Sequence, residues 1–349
     1  HSCTAPYPPT KPFAGPGCVF HLPPRMALGG AAVSMGPWCM DSGWGPDDFA
    51  AFITSKGQVI VYAGNNPADA NDWVLKGVYN IGPPIGRRCL QKVGGDLAVI
   101  GIDGVVSLAQ AISNDRSVAE KAAITARIRR AMNDAAKSAN GNFGWQLMPY
   151  VKGTAAILNV PLTEGTLAHQ YVMNTLTGAW CRYTGQNAVS WEIFQDRPFF
   201  GGLAGRVFEA DKSGRDDGNL IVGDLKTAFN YVGDRAANKR FALIRALMKS
   251  DGQAIPQLTL NTDYREFAPA TVASPFVASG AQWNGFNWND GSLWSGASQT
   301  LADWVSVNDV GYCAAVRMRF APQNENVAAA VGLEINGFDL KWERATGAL

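Results

Sequence analysis

The chain has 349 residues, 47% hydrophobic and 17% charged, with a formal net charge of +1. That length supports a substantial core and about two domains, and the balanced charge gives no global ground for nucleic-acid or acidic-lipid binding. No apolar run approaches the roughly 18 residues that span a bilayer. Charge this sparse, below the about 25% of an ordinary soluble chain, points to surface hidden against partners and hence to an oligomer.

Residues 1–40 read as a Pro/Gly-rich extended arm with little regular structure. No signal peptide is expected, because a charged n-region and an apolar h-region are both missing. The absent initiator Met points to processing or to a longer polypeptide. From Asp48 to Asp211 the chain runs through short alternating strands. Lys56-Gly57, Gly94-Gly95-Asp96, Asp103-Gly104, Lys152-Gly153, Glu164-Gly165 and Thr177-Gly178 separate them. Such pairs supply the positive φ of tight hairpin turns. Strands this short and regular suggest the radial repetition of a β-propeller. Trp73 and Trp180 each follow a turn and open a strand, which supports repeated blades.

Residues 115–140 break the pattern. Ser117 and Glu120 have capping-box spacing, and Ile124, Ile128, Met132 and Ala135 fall on one helical face. The spacing predicts one amphipathic helix inserted between strands and ending at Asn140-Gly141. Polar, glycine-rich residues 211–218 mark a boundary, beyond which longer strands predict a β-sandwich. The expected fold is therefore all-β: an arm over 1–40, propeller-like blades with one inserted α-helix over 41–215, and a β-sandwich-like domain over 216–349.

Chemistry is hard to find. Of the histidines His1, His21 and His169, none belongs to a ligand cluster, so no metal or cofactor is expected. Nucleotide loops and nucleophile elbows are absent from the sequence. The pairs Asp47-Asp48 and Asp216-Asp217 are adjacent and turn-like, which disfavours a propeller glycoside hydrolase. The six cysteines are unpaired by spacing, and Cys89, Cys181 and Cys313 read as buried free thiols. The chain is expected not to be an enzyme. Two features point to binding. Trp283, Trp288, Trp294 and Trp304, interleaved with Asn284, Asn287, Asn289 and Asp290, have the chemistry of sugar recognition, or else pack beneath a loop. Arg127, Arg129 and Arg130 on the helix, with Arg87 and Arg88 before a strand, are candidate subunit-interface or DNA-facing residues, or else solvated faces.

In order along the chain stand Gly45-Pro-Asp-Asp48, Phe52 to Gly64, Gly77 to Cys89, Gly94 to Leu97 and Asp103-Gly104. Asn142 to Gln146, His169 to Asn174, Thr177 to Cys181 and Gly311 to Ala315 follow. Taken together these resemble the tail nozzle (hub) proteins of short-tailed bacteriophages, also known as packaged-DNA stabilisation proteins, over about residues 40–349. The resemblance implies a propeller-bearing virion subunit, made in the host cytoplasm. It assembles, usually as six copies, into a tube below the portal and adaptor. Such a ring extends the DNA channel, helps retain the genome and carries tail spikes or fibres. Double-stranded DNA would pass through it without sequence-specific contact. The alternative is a carbohydrate-binding propeller or sandwich protein using the Trp283–Trp304 loop.

Overall fold

The structure is a computed structural model describing residues 27–41, 46–64, 72–113, 123–212, 215–216, 219–250, 256–269, 299–320 and 333–345. The chain divides into two compact units, His1–Ala210 and Asp211–Leu349. Both are built almost wholly from small antiparallel sheets, and among the described residues none closes on itself.

The first unit opens with β1 (Ala32–Asp41), β2 (Pro46–Thr54), β3 (Gln58–Ala63) and β4 (Val74–Asn80), hydrogen-bonded in that order. β3 lies inside this sheet, and its residues Gln58 to Tyr62 are all buried. A near-continuous apolar strand with both faces covered gives that pattern. Gly57 makes the β2–β3 turn at φ +82°, where a Cβ would sit 2.2 Å from the Gly82 carbonyl. Part of the expected irregular arm is thus regular: β1 pairs with β2 from Ala32 to Asp41. Its Pro37 is tolerated because β1 is an edge strand, and its Trp38 is buried and donates to Asp96 Oδ1 at 3.0 Å.

The next sheet is β5 (Leu90–Val93), β6 (Asp96–Gly101) and β7 (Gly104–Ser107), followed by a short helix, α1 (Leu108–Ser113). Sequence reading missed α1 by taking this stretch as strand. Ser107 Oγ accepts from Gln110 N at 3.3 Å and Asp96 Oδ1 from Ala109 N at 3.3 Å, the capping that starts a helix. The predicted helix over 115–140 is also shorter where it is described. A 3₁₀ turn covers Ala126–Ile128 and α2 covers Arg129–Ala139; Ser117 and Glu120 lie outside the described residues. Residues 123–125 are not helical for a physical reason. Ile124 N donates to Val105 O at 2.8 Å, and Thr125 Oγ1 accepts from Val105 N at 3.0 Å, so both are committed to β7. From there the expected apolar face holds. Met132 and Ala135 are buried, with Ile124 and Ile128 packed against the same core.

Sheets three and four complete the unit. The third comprises β8 (Gln146–Tyr150), β9 (Ala155–Thr163), β10 (Leu167–Asn174) and β11 (Trp180–Thr184). The fourth comprises β12 (Ser190–Phe194), β13 (Arg197–Gly201) and β14 (Val207–Glu209). Each sheet runs up and down and packs on the next: β1 on β5 and β6, β5 on β8, β8 on β12. One apolar cluster joins the first three sheets to both helices. A second, around Tyr150, Val172, Trp191 and Phe200, joins the third to the fourth. This serial packing is propeller-like.

The second unit starts with the short pair β15 (Arg215–Asp216) and β16 (Asn219–Leu220), then β17 (Gly223–Lys226), β18 (Lys239–Ser250) and β19 (Gln257–Thr262). β20 (Gln299–Leu301), β21 (Val305–Gly311), β22 (Ala314–Phe320) and β23 (Leu333–Arg344) follow. One sheet has the order β17-β22-β19; in the other, β18 pairs with β20 and β21 along one edge and with β23 along the other. Phe241, Ile244 and Met248 of one sheet meet Leu260, Val316 and Met318 of the other, the facing layers of a sandwich. At one end the Lys239 ammonium is fully buried. It is saturated by three carbonyls, of Asp234, Ala237 (3.0 Å) and Tyr312 (3.2 Å).

Candidate interaction surfaces

The five arginines singled out by sequence divide by what their guanidinium groups already hold. Arg88 is half-buried; its Nη1 donates to Gln146 Oε1 at 3.1 Å and Val189 O at 3.4 Å, over the Phe143 ring at 5.0 Å. Arg127 Nη1 donates to the carbonyls of Thr177 (3.2 Å) and Gly178 (2.9 Å). Both side chains therefore brace the third sheet, at its two opposite ends, so the five do not converge on one basic patch. Arg87, Arg129 and Arg130 are exposed.

What Arg127 braces is a loop that sequence reading treated as an ordinary turn. Asn174 Oδ1 accepts from Leu176 N at 2.9 Å and Thr177 N at 3.1 Å, the Asx geometry that Asn favours in turns. Gly178 N returns to Asn174 O at 2.8 Å, and Thr175 N reaches Thr154 O in the neighbouring β8–β9 turn at 2.8 Å. Thr154 itself sits at φ +48°, a conformation that costs a β-branched residue stability. The two coupled turns project Val151 and Leu176, 85% and 80% exposed.

Between the third and fourth sheets lies a buried amide cluster. Asn159 is fully buried. Its Nδ2 donates to Gly144 O (2.8 Å) and Ala188 O (3.0 Å). Its Oδ1 accepts from Gln170 Nε2 (2.8 Å) and Trp191 Nε1 (3.1 Å). Gln146 adds a two-way bond to the Trp191 backbone, at 2.8 and 3.0 Å. The Asn159 amide is satisfied at both its nitrogen and its oxygen, while Gln170 Oε1 has no partner; a buried amide so bonded fixes one relative placement of the elements it joins. The only sequence signal was polar Asn and Gln inside otherwise apolar strands. His169, expected at the surface or hydrogen-bonded, is instead buried against Tyr171 at 4.8 Å, with Nε2 unpartnered. Burial, reinforced by Arg182, holds its pKa below the usual histidine value.

In the second unit Trp304 is 44% exposed, with the Arg245 guanidinium over its ring at 4.6 Å. Trp283, Trp288 and Trp294 lie outside the described residues. On the outer row of the β17-β22-β19 sheet, Arg317 grips Asp224 through two bonds, 2.9 and 2.7 Å. That pairing pulls the Asp224 carboxyl below the ordinary aspartate range. Cys89 and Cys313 are buried and unpaired as expected, and burial pushes the Cys89 thiol up to about 11. Cys181, expected to be buried, is exposed, because β11 is the outer edge of its sheet. Among the described residues no group of three or more His, Cys, Asp or Glu could hold a metal ion, and no helix is long and apolar enough to cross a membrane.

No protein-family model matches the chain, and no curated protein matches it. Solved structures do. One is the crystal structure of a glycoside hydrolase family 43 arabinoxylan arabinofuranohydrolase from Bacillus subtilis in complex with cellotetraose. It matches at 8% identity over 89% of this chain and 79% of that one, with a TM-score of 0.25. The expectation that the chain is not an enzyme is corrected on this finding, because the matched structure is that of an enzyme. A likeness of that degree assigns no activity to this chain.

Proposed function

We propose that the chain is a structural subunit of the tail nozzle kind, assembling as a homo-oligomeric ring around the path of DNA in a phage virion. The observation that carries this reading is where the ordered motifs fall. Gly57 makes one hairpin turn at φ +82°, and Gly104 opens β7 directly after another at φ +125°. Trp145 anchors α2 through Ala139 O at 2.8 Å. Gln146 joins the third sheet to the fourth through Trp191, and Gln170 holds the segment between them at Gln186 O. The residues that carry the resemblance are thus ones on which serial sheets depend, in the same order along the chain. A near-neutral chain suits a conduit, since a strongly basic wall would hold DNA by counterion release. The ring's partners on this reading are an adaptor above and spikes or fibres below, with a lumen of polar and acidic residues.

Electron microscopy of the purified protein, alone and with virion tail components, tests the proposal. Closed rings, six-fold above all, are the expected result; monomers under both conditions would sink it. Glycan binding through the Trp283–Trp304 loop ranks second. Its described member, Trp304, is exposed but has one ring face covered by Arg245.

A further inference from the structure

The third sheet of the first unit ends differently at its two ends. At one end Val151 and Leu176 stand in solvent on turns fixed by the Asn174, Thr154 and Arg127 bonds. An exposed leucine usually rides on mobile chain; this one is held in place before any contact is made. Docking on a pre-ordered backbone loses less conformational freedom than docking a mobile loop, which makes the pair an apolar knob. At the other end the β9–β10 turn and the segments after α2 and β11 line a shallow apolar groove. Phe143, Pro161, Leu167, Asn187, Val189 and Leu203 form it. Phe143, Leu167 and Leu203 are 47%, 46% and 39% exposed there.

We infer that Leu176 and Val151 of one copy seat in the Phe143–Leu167–Leu203 groove of the next, giving a head-to-tail contact between copies of this chain. The inference rests on the ring-forming reading above and supplies its interface. The occupant is a second copy because both halves are present on one chain and cannot meet within it. β9 separates them by nine residues, about 30 Å of strand. Charge agrees with the pairing. Arg127 and Lys152 are exposed beside the knob and Glu164 is exposed on the lip of the groove, so the charges at the two rims are opposite; Arg88, behind Phe143, is half-buried. Knob and groove are different surfaces, so the contact is heterologous, and repetition closes a ring or runs on as a filament.

The test places the photo-crosslinker p-benzoylphenylalanine at position 176 of the full chain, mixed with isotope-labelled wild type. Cross-links between light and heavy peptides should map to residues 142–144, 161–168 or 203. In sedimentation velocity, Leu176→Asp should weaken self-association at least tenfold while circular dichroism is unchanged. Leu28→Asp, at another exposed leucine, should leave association as it was. Rings that survive Leu176→Asp, or cross-links that land elsewhere, overturn this interface and leave the ring-forming reading standing. A wild-type chain that stays monomeric, with and without tail components, overturns both.

Discussion

Replacing Asn159 with Ala probes how the third and fourth sheets are held together. The substitution removes the donor to Gly144 O and Ala188 O and the acceptor for Trp191 Nε1. Gln170 keeps a bond, since its Nε2 also donates to Gln186 O at 2.8 Å. Three buried polar groups therefore lose their partner, each at about 1–3 kcal/mol. A water entering the vacated space would recover part of this, so the lower end applies and the expected loss is about 4 kcal/mol. Because the chain has two units, global unfolding is a poor readout. Hydrogen exchange over residues 155–163 reports the local opening free energy instead, and about 4 kcal/mol is close to a thousandfold loss of protection. Asn187→Ala is the control. Asn187 is half-buried, accepts a single bond from Ala168 N at 3.1 Å, and should cost about 1 kcal/mol. If Asn159→Ala lowers protection no more than the control does, the cluster does not hold the sheets and the reasoning fails.

Arg127→Ala should speed exchange at residues 175–178 about tenfold by removing the two bonds to the loop carbonyls, a loss of about 1.4 kcal/mol. Arg130→Ala should leave the same amides unchanged. His169 is held neutral by burial, so its folded pKa lies below its unfolded value. Its stability contribution is complete above about pH 6.5 and is lost as pH falls from there toward the folded pKa. Hydrogen exchange over residues 167–174, corrected for the intrinsic rate at each pH, should show that loss between about pH 7.5 and 5, and His169→Gln should flatten it; an unchanged profile in the variant would rule His169 out as its source. In native alkylation at pH 8, Cys181 should react first among Cys89, Cys181 and Cys313, with Cys89 labelled only on unfolding. Equal rates for Cys89 and Cys181 would contradict the burial described for them.

Legibility tracked the range of the interaction that decides each feature. The hairpin glycines, the strand alternation and the Met132–Ala135 face of α2 rest on contacts between near neighbours in sequence, and the chain displays them directly. β1 escaped notice because its strand character comes from pairing with β2, not from its own Pro- and Gly-containing residues. The helix began later than expected because Val105, about 20 positions earlier, takes the bonds of Ile124 and Thr125. Arg127 and Arg130 look alike in sequence, yet one faces two carbonyls 50 residues on and the other faces solvent. Cys89 and Cys181 both sit in apolar strand patterns, and only strand order placed Cys181 on an outer edge.

The sequence by itself determined an all-β chain of small antiparallel sheets and the amphipathic helix α2 among the described residues, because 2.0 and 3.6 periodicities and turn glycines are local properties of the backbone. Tertiary structure alone decided which polar groups are spent inside the fold and which are offered outward. Asn159, Gln146 and Arg88 are spent on bonds to neighbouring elements, while Val151 and Leu176, as apolar as any core residue, are left in solvent. Burial is a property of what comes to lie opposite a side chain, and no residue's own identity contains it.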